Sequence, residues 1–316
     1  MNRSIEHKLT IPEGFVFQRL DQAMVELLPQ YSRSLIQQWI KEGNLLVDSE
    51  KVKPSFKLVG GEQVLIDCSL EDVITAEPEA IPIDVIFEDD YLLVINKPVG
   101  MVVHPGAGND SGTLMNALLN HDHNLAKIPR AGIIHRLDKN TSGLLLIAKT
   151  NESQNRLVKD LQSRVINRIY YALVYGRTPY QEGNVSLSIG RHPKERKKMS
   201  VRPDGKSAKT HYRVIEIFEG HCFLECKLET GRTHQIRVHM QALGNPLIGD
   251  NEYGGHFRRP RSNLLELEEL LRAFSRQALH ARKLSFRHPE TGKDILLTAP
   301  IPEDFERLLE TLREAN

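Results

Sequence analysis

The sequence predicts an α+β protein in two units. A small N-terminal unit mixes helices and strands, and a larger one rests on a mixed, mainly antiparallel β-sheet with flanking helices. Three observations predict this. Many short runs carry alternating β-type residues with few helices between them, which argues against a doubly wound parallel sheet. A length of 316 residues exceeds what one hydrophobic core usually serves. An acidic stretch containing Pro78 and Pro82 separates two differently patterned regions.

Taken in order, residues 1–14 read as a polar lead-in and 15–75 as the first unit. Leu20, Met24, Leu27 and Leu28 recur at helical spacing up to a stop at Pro29. Ser32 is the expected N-cap of a second helix over 33–41, whose apolar face is Leu35, Ile36, Trp39 and Ile40. Strands are expected at 45–47 and leading up to Ile66. Residues 76–82 are the expected linker and 83–316 the larger unit. That unit opens with a hairpin turning at Asp89-Asp90, followed by a short helix at 113–120 and a buried strand at 144–148. A helix over 151–164 presents Leu157, Val158 and Leu161. Strands are expected within 165–176 and 209–230, then a helix near 264–274, strands around Leu284 and 295–298, and a helix after Pro302.

The bulk composition, 40% hydrophobic and 26% charged with net charge +1, is ordinary for a globular protein and does not itself announce nucleic-acid binding. Charge is unevenly placed, however. Residues 191–213 hold nine lysines and arginines, Lys197 and Lys198 among them, against Glu195 and Asp204. Such a patch suits phosphate contact, its plain alternative being a solvated loop; Arg258, Arg259 and Arg261 extend it. Three cysteines give no disulfide framework, and Cys222 and Cys226 read as buried thiols of a strand. His234, His239, His280 and His288 lack zinc spacing, and Gly106-Ala107-Gly108 lacks the Gly-Lys-Ser/Thr of a phosphate loop. No cofactor or metal is therefore expected. No run reaches membrane-spanning length and no signal-peptide core is present, so a cytoplasmic protein is expected.

The stretch Ala-Gly-Ile-Ile-His-Arg-Leu-Asp-Lys-Asn-Thr-Ser-Gly at 131–143, running into the apolar strand, puts Asp138 at a turn between two apolar segments. Rigidly mounted loops are where reactive groups sit. Taken alone, Asp138 beside Arg136 reads first as a turn-forming aspartate with a countercharge.

Three ordered motifs change that reading: His135-Arg136-Leu137-Asp138 with the strand after it, Arg168-Ile169-Tyr170-Tyr171-Ala172-Leu173-Val174, and residues 228–239 with Gly231-Arg232-Thr233-His234-Gln235-Ile236-Arg237. Together they resemble the RluA-type pseudouridine synthases, and residues 15–75 resemble the S4 RNA-binding fold. The resemblance implies an isomerase converting uridine to pseudouridine without a cofactor. In it Asp138 is the catalytic carboxylate, Tyr170 the residue that stacks on the base and handles the C5 proton, and Arg237 the partner of Asp138. Arg232 is a second candidate for that pairing, otherwise an RNA contact. Leu279 packs beneath the target base, Arg136 fills the gap left by a flipped nucleotide, and His135 positions. Arg19 and Arg33, with Lys41 and Lys53, are the phosphate contacts expected of the first unit. The implied partner is large-subunit ribosomal RNA or a pre-ribosomal particle, at the stem-loop known as helix 69, with no membrane and no obligatory protein partner. A ribosome-assembly factor without activity and an N-glycoside hydrolase are the rival readings.

Overall fold

Ser4–Thr10 is a strand, β1, where the sequence reads as a polar lead-in; it pairs antiparallel along its whole length with a later strand. The reason is its place at a sheet edge. Glu6, Lys8 and Thr10 face solvent while His7 and Leu9 turn inward, and such half-solvated alternation looks polar when scanned for hydrophobic runs. The computed structural model of the chain describes residues 4–28, 31, 33–69, 76–106, 108–195, 197–254, 256–260 and 264–316. Pro29 and Ser32, the expected stop and N-cap, and Ala107, Arg196 and Arg261 lie outside them.

Helices α1 (Leu20–Leu27) and α2 (Arg33–Glu42) follow, then strands β2 (Leu45–Val47) and β3 (Gln63–Ser69). The sheet order is β1-β3-β2, all antiparallel. The helices close over it through Leu20, Met24, Ile36, Trp39 and Ile40, which pack with Leu45, Val64 and Ile66. Trp39 is wholly buried, with Tyr31 edge-on at 4.8 Å. One charge is buried here as well. Asp21 has no exposed side-chain surface and accepts from Arg19 (2.9 and 3.2 Å), Arg33 (3.1 and 2.8 Å) and Gln37 (2.5 Å), which ties the start of α1 to α2.

The larger unit runs β4 (Asp84–Glu88), β5 (Leu92–Lys97), α3 (Leu114–His121), β6 (Ser142–Ala148), α4 (Asn151–Gln162), β7 (Asn167–Tyr175), β8 (Glu182–Ser186), β9 (Ile189–Arg191) and β10 (Met199–Val201). It continues with β11 (Lys209–Phe218), β12 (His221–Leu228), α5 (Gln235–Ala242), α6 (Leu265–Ala273), β13 (Leu279–Arg287), β14 (Asp294–Thr298) and α7 (Glu303–Glu314). Nine strands make one sheet in the order β4-β5-β6-β13-β7-β12-β11-β8, with β14 on β13. Only the β13–β6 contact is parallel. β9 and β10 form a separate hairpin. The sheet is covered on both faces: α3 and α5 share a core with Leu145, Tyr170 and Leu224, while α6 and α7 pack on Leu173, Tyr175 and Phe223.

The expected linker is held down rather than free. Ala76 is buried, the Asn116 side-chain amide donates to Glu77 O (2.7 Å), and the Glu79 carboxylate accepts from Gly112 N at 2.9 Å. Residues 76–79 thus strap α3, whose N-terminus carries a Thr113–Asn116 capping box.

Asp21 generates a prediction. Its burial alone would raise its pKa, but the bonds from Arg19, Gln37 and Arg33 hold it well below the usual carboxylate range. A depressed folded-state pKa means stability that is fully present above the unfolded pKa and lost as pH falls from there through the folded-state pKa. Asp21→Ala should cost the N-terminal unit about 2 kcal/mol at pH 7, less than a fully buried pair because both arginines are about half exposed. The gap between variant and wild type in urea unfolding should begin to narrow below about pH 4 and close only as pH falls through the depressed folded-state pKa; a gap at about pH 3 as wide as at pH 7 would show that the carboxylate charge is not what stabilises.

Candidate active site

Two glycines fix the frame of the Asp138 segment. Gly132 has φ +74°, and a Cβ there would lie 1.9 Å from Ala148 O. Gly143 has φ +110°, and a Cβ would lie 2.3 Å from Ala281 O, at the parallel contact of β6 with β13. Neither place admits a side chain. Between them the chain alternates: Leu137 is buried in the core, whereas Arg136 and Asp138 face out. The turn after Asp138 is held by Thr141 N donating to Asp138 O at 3.0 Å, and by Gln277 donating to the Thr141 hydroxyl at 3.1 Å.

Beneath that turn lies Lys97, the last residue of an apolar strand, with no exposed surface. Its Nζ donates to the carbonyls of Pro98 (2.7 Å), Met101 (3.0 Å) and Lys139 (3.1 Å). Burial pushes its pKa down to about 7, with Asp138 opposing. Three carbonyl acceptors match the three protons of the ammonium form, so the bonding geometry favours the cation that burial disfavours.

A cleft of about 770 Å³ opens in front of Asp138. Asp138, Tyr170, Arg237, His135, Arg136, Arg232 and Leu279 all line it, so six residues nominated from three separated motifs meet at one place, with Leu279 from a fourth stretch beside them. Tyr170 is buried on β7, and burial raises its pKa despite nearby Arg168, so the phenol keeps its proton at neutral pH. Tyr171 packs on the other face against Phe223, as strand alternation requires. Leu279 begins β13 beside Ala172. His135 is neutral: burial and Arg168 lower its pKa to about 3, and its Nε2 accepts from Leu146 N at 3.3 Å.

Arg237 is divided among three carboxylates. Its fork meets Asp250 at 2.7 and 2.8 Å, Nη2 also reaches Glu252 at 2.5 Å, and Nη1 lies 3.3 Å from Asp138 Oδ2. Asp138 is thus its looser contact, and Asp250 its tight one. Burial would lower the Arg237 pKa, but Asp250, Asp138 and Glu252 hold it far above the ordinary value. Arg232 does not share this role: its Nε donates to Ser207 O at 3.1 Å.

The remaining nominated residues lie away from the cleft. Arg19 and Arg33 hold Asp21. Lys197 is exposed on the turn between β9 and β10, and Lys198 is paired with Glu195 at 2.6 Å. Sequence reasoning missed Lys97, Arg168, Asp250, Glu252 and Tyr253, and weighed His234 only as a metal ligand. A lysine closing an apolar strand was a usable signal. Gly249-Asp250 was another, since Gly249 has φ +74° and no room for a Cβ against Arg276 O at 2.2 Å. Among the described residues no group of His, Cys, Asp and Glu is arranged to hold a metal ion, and no helix is long and apolar enough to cross a membrane.

Six arginines and two carboxylates line the cleft. Glu229 is engaged by Arg164 (2.7 Å), Lys209 (2.9 Å) and His211 (2.5 Å), and Asp138 by Arg237. Arg168 is buried with no carboxylate partner among the described residues, its Nη1 lying 2.7 Å from where a Gly231 Cβ would be. A buried guanidinium without a countercharge suits an incoming anionic or carbonyl oxygen.

Comparison with known proteins gives the family. Residues 91–242 match the RNA pseudouridylate synthase family and residues 18–64 the S4 domain. A protein of Xanthomonas campestris pv. campestris described as ribosomal large subunit pseudouridine synthase D is 50% identical over 304 residues, 96% of this chain and 92% of the relative. One of Salmonella typhimurium with the same description is 48% identical over 99% of this chain and 96% of the relative. Among solved structures, human RNA pseudouridylate synthase domain containing 4 aligns with a TM-score of 0.56 at 25% identity, over 73% of this chain and 93% of that one. With an N-terminal S4 domain and an Asp138 cleft lying in the matched region, the chain belongs to the RNA pseudouridylate synthase family and is an RNA pseudouridine synthase.

Proposed function

We propose that this enzyme isomerises uridines of large-subunit (23S) ribosomal RNA, in the helix 69 stem-loop, after flipping each target base into the Asp138 cleft. The observation that carries the reading is a single carboxylate, Asp138, fixed by Arg237 at the mouth of an arginine-lined cleft that has Tyr170 in its wall. The description of the relatives as large-subunit enzymes supports the substrate class. The reading puts the enzyme in the cytoplasm, acting on ribosomal RNA or an assembling particle.

The reaction breaks the bond from N1 to C1′ and makes one from C5 to C1′; a proton leaves C5 and one is gained at N1. Electrons balance without an oxidant or reductant, so the chain's own side chains suffice. Asp138 has two routes, attack on C1′ or removal of a ribose proton, and each requires the carboxylate to be aimed at the sugar. Arg237 fixes its rotamer. Tyr170 offers a ring on which the detached base stacks, and its protonated hydroxyl orients that base. Leu279 supports the base from the other side. Arg136, exposed two residues before Asp138, enters the stack in place of the flipped nucleotide, offsetting part of an unstacking cost of a few kcal/mol. Lys197, Lys198, Arg19 and Arg33 add backbone contacts whose strength falls with salt.

Tritium at uridine C5 of rRNA transcripts gives the test. Asp138→Asn should lower tritium release by about 10⁴-fold or more while RNA binding is retained. Release at the wild-type rate would remove Asp138 from the mechanism. Tyr170→Phe, which keeps the ring, should slow release by about 10²-fold at saturating RNA; a rate equal to wild type would leave the hydroxyl without a role. The helix 69 assignment is tested separately: those uridines should be unmodified in a deletion strain and restored by this protein, and their continued modification would remove it.

A further inference from the structure

Asp138 is held on two sides, and the second side has no assigned role. Oδ2 faces Arg237, whereas Oδ1 lies 3.8 Å from His234 Nε2. His234 has φ +55° and ψ 23°, a left-handed conformation uncommon outside glycine but one that histidine tolerates better than most residues, immediately before α5. On its other side Nδ1 is 2.8 Å from the hydroxyl of Tyr253, which itself accepts from Met199 N at 2.8 Å. Tyr253 is buried, with the Arg237 guanidinium over its ring at 4.7 Å. It packs with Ile189, Ala208 and Val238, and with Met199, at the base of the β9–β10 hairpin that carries Lys194, Lys197 and Lys198.

Hydrogen-bond accounting fixes the proton. The hydroxyl has one proton and spends a lone pair on Met199 N–H. If His234 carried its proton on Nδ1, the buried hydroxyl proton would have no acceptor among the described residues. With the proton on Nε2, the hydroxyl donates to Nδ1, and the hydroxyl and Nδ1 are both satisfied. Burial pushes the Tyr253 pKa up to about 12, so the hydroxyl stays a donor. Burial also lowers that of His234, with Asp138, Glu252 and Asp250 opposing and Arg237 adding to the lowering. The Nε2–H therefore faces Asp138 Oδ1 across 3.8 Å, a separation of the kind that tightens to a hydrogen bond in substrate complexes.

We propose that His234 is a positioning residue for Asp138, with its tautomer set by the Tyr253 hydroxyl, and that through Met199 this hydroxyl ties the aim of Asp138 to the seating of the basic hairpin. Contact between RNA phosphates and the hairpin would then be felt at the carboxylate, linking substrate engagement to the position of the reactive group. The inference rests on the assignment of Asp138 as the reactive carboxylate.

The test combines a spectroscopic and a kinetic readout on the full-length protein. With ¹⁵N-labelled histidine and no RNA, His234 should show the Nε2–H tautomer in wild type and lose that preference in Tyr253→Phe; the Nδ1–H tautomer in wild type would overturn the proposal. In single-turnover tritium release, Tyr253→Phe should fall by about 10- to 100-fold at saturating RNA with KM little changed. His234→Gln, whose amide N–H can stand in for Nε2–H, should stay near wild type, and His234→Leu should fall as far as Tyr253→Phe. Adding Tyr253→Phe to His234→Leu should cost nothing more, because the hydroxyl reaches Asp138 through the His234 side chain. A full rate in Tyr253→Phe, equal losses in the Gln and Leu variants, or additive losses in the double variant would each overturn it. For the hairpin link, Met199 N–H exchange should quicken in Tyr253→Phe and slow on adding rRNA transcript to wild type; unchanged exchange in both would overturn that part. If Asp138→Asn kept full activity, the catalytic reading would fall, and the tautomer measurement, made without RNA, would still judge the contact by itself.

Discussion

One buried guanidinium organises the cleft around Asp138. Arg237 is 94% removed from solvent with three carboxylates around it, and without them its burial would be strongly unfavourable. Conversely, Asp138, Asp250 and Glu252 would repel one another without the cation between them. Neither half of the cluster is stable alone, so the loop that carries Asp250 and Glu252, helix α5 and the Asp138 turn must close together. That mutual dependence holds a carboxylate still at a cleft mouth without burying it, since Asp138 keeps 18% of its side-chain surface. The tight fork goes to Asp250, which leaves Asp138 the longer contact at 3.3 Å and one edge open to the cleft.

The second requirement is backbone proximity. Gly132, Gly143 and Gly249 each lie where a Cβ would come within 2.3 Å of a carbonyl oxygen. Two bracket the Asp138 segment and the third precedes Asp250, so the places of closest chain approach surround the charged cluster. Lys97 works in the same frame, with its three protons satisfying three carbonyls on either side of the Asp138 turn. The core under the cleft is ordinary apolar packing; the reactive geometry comes from these polar and steric constraints.

Which of this the sequence displayed follows from what each signal depends on. Periodicity and turn residues located α1, the β4–β5 hairpin, α4 and the terminal helix, because each is patterned by its own neighbours. β1 escaped because an edge strand's pattern makes sense only beside β3. The cleft residues were nameable because three motifs carry them, yet no local pattern shows that residues 138, 170 and 237 meet. Asp250, Glu252 and Tyr253 belong to no periodic run, and their significance lies wholly in what they touch. The residues 76–82 were legible as proline-bearing and acidic, but their strap over α3 depends on Asn116 and Gly112 some thirty-five residues away.

Near-neutral net charge and an RNA substrate are reconciled by where the carboxylates are used. Asp21, Glu225 and Glu229 each pair with two lysine or arginine side chains, Glu88 pairs with Lys149, and Asp250 and Glu252 are committed to Arg237. Acidic residues are thereby consumed in holding the fold, while in the cleft Arg136 and Arg168 have no carboxylate partner among the described residues. Attraction for a polyanion depends on the field at the surface it meets and not on the sum over the chain. A protein of net charge +1 can therefore present a strongly cationic mouth, provided its carboxylates are buried or paired elsewhere. Asp138 is the exception at that mouth: a negative charge kept among cations, where Arg237 and the neighbouring arginines outweigh it in the field met by an approaching anion.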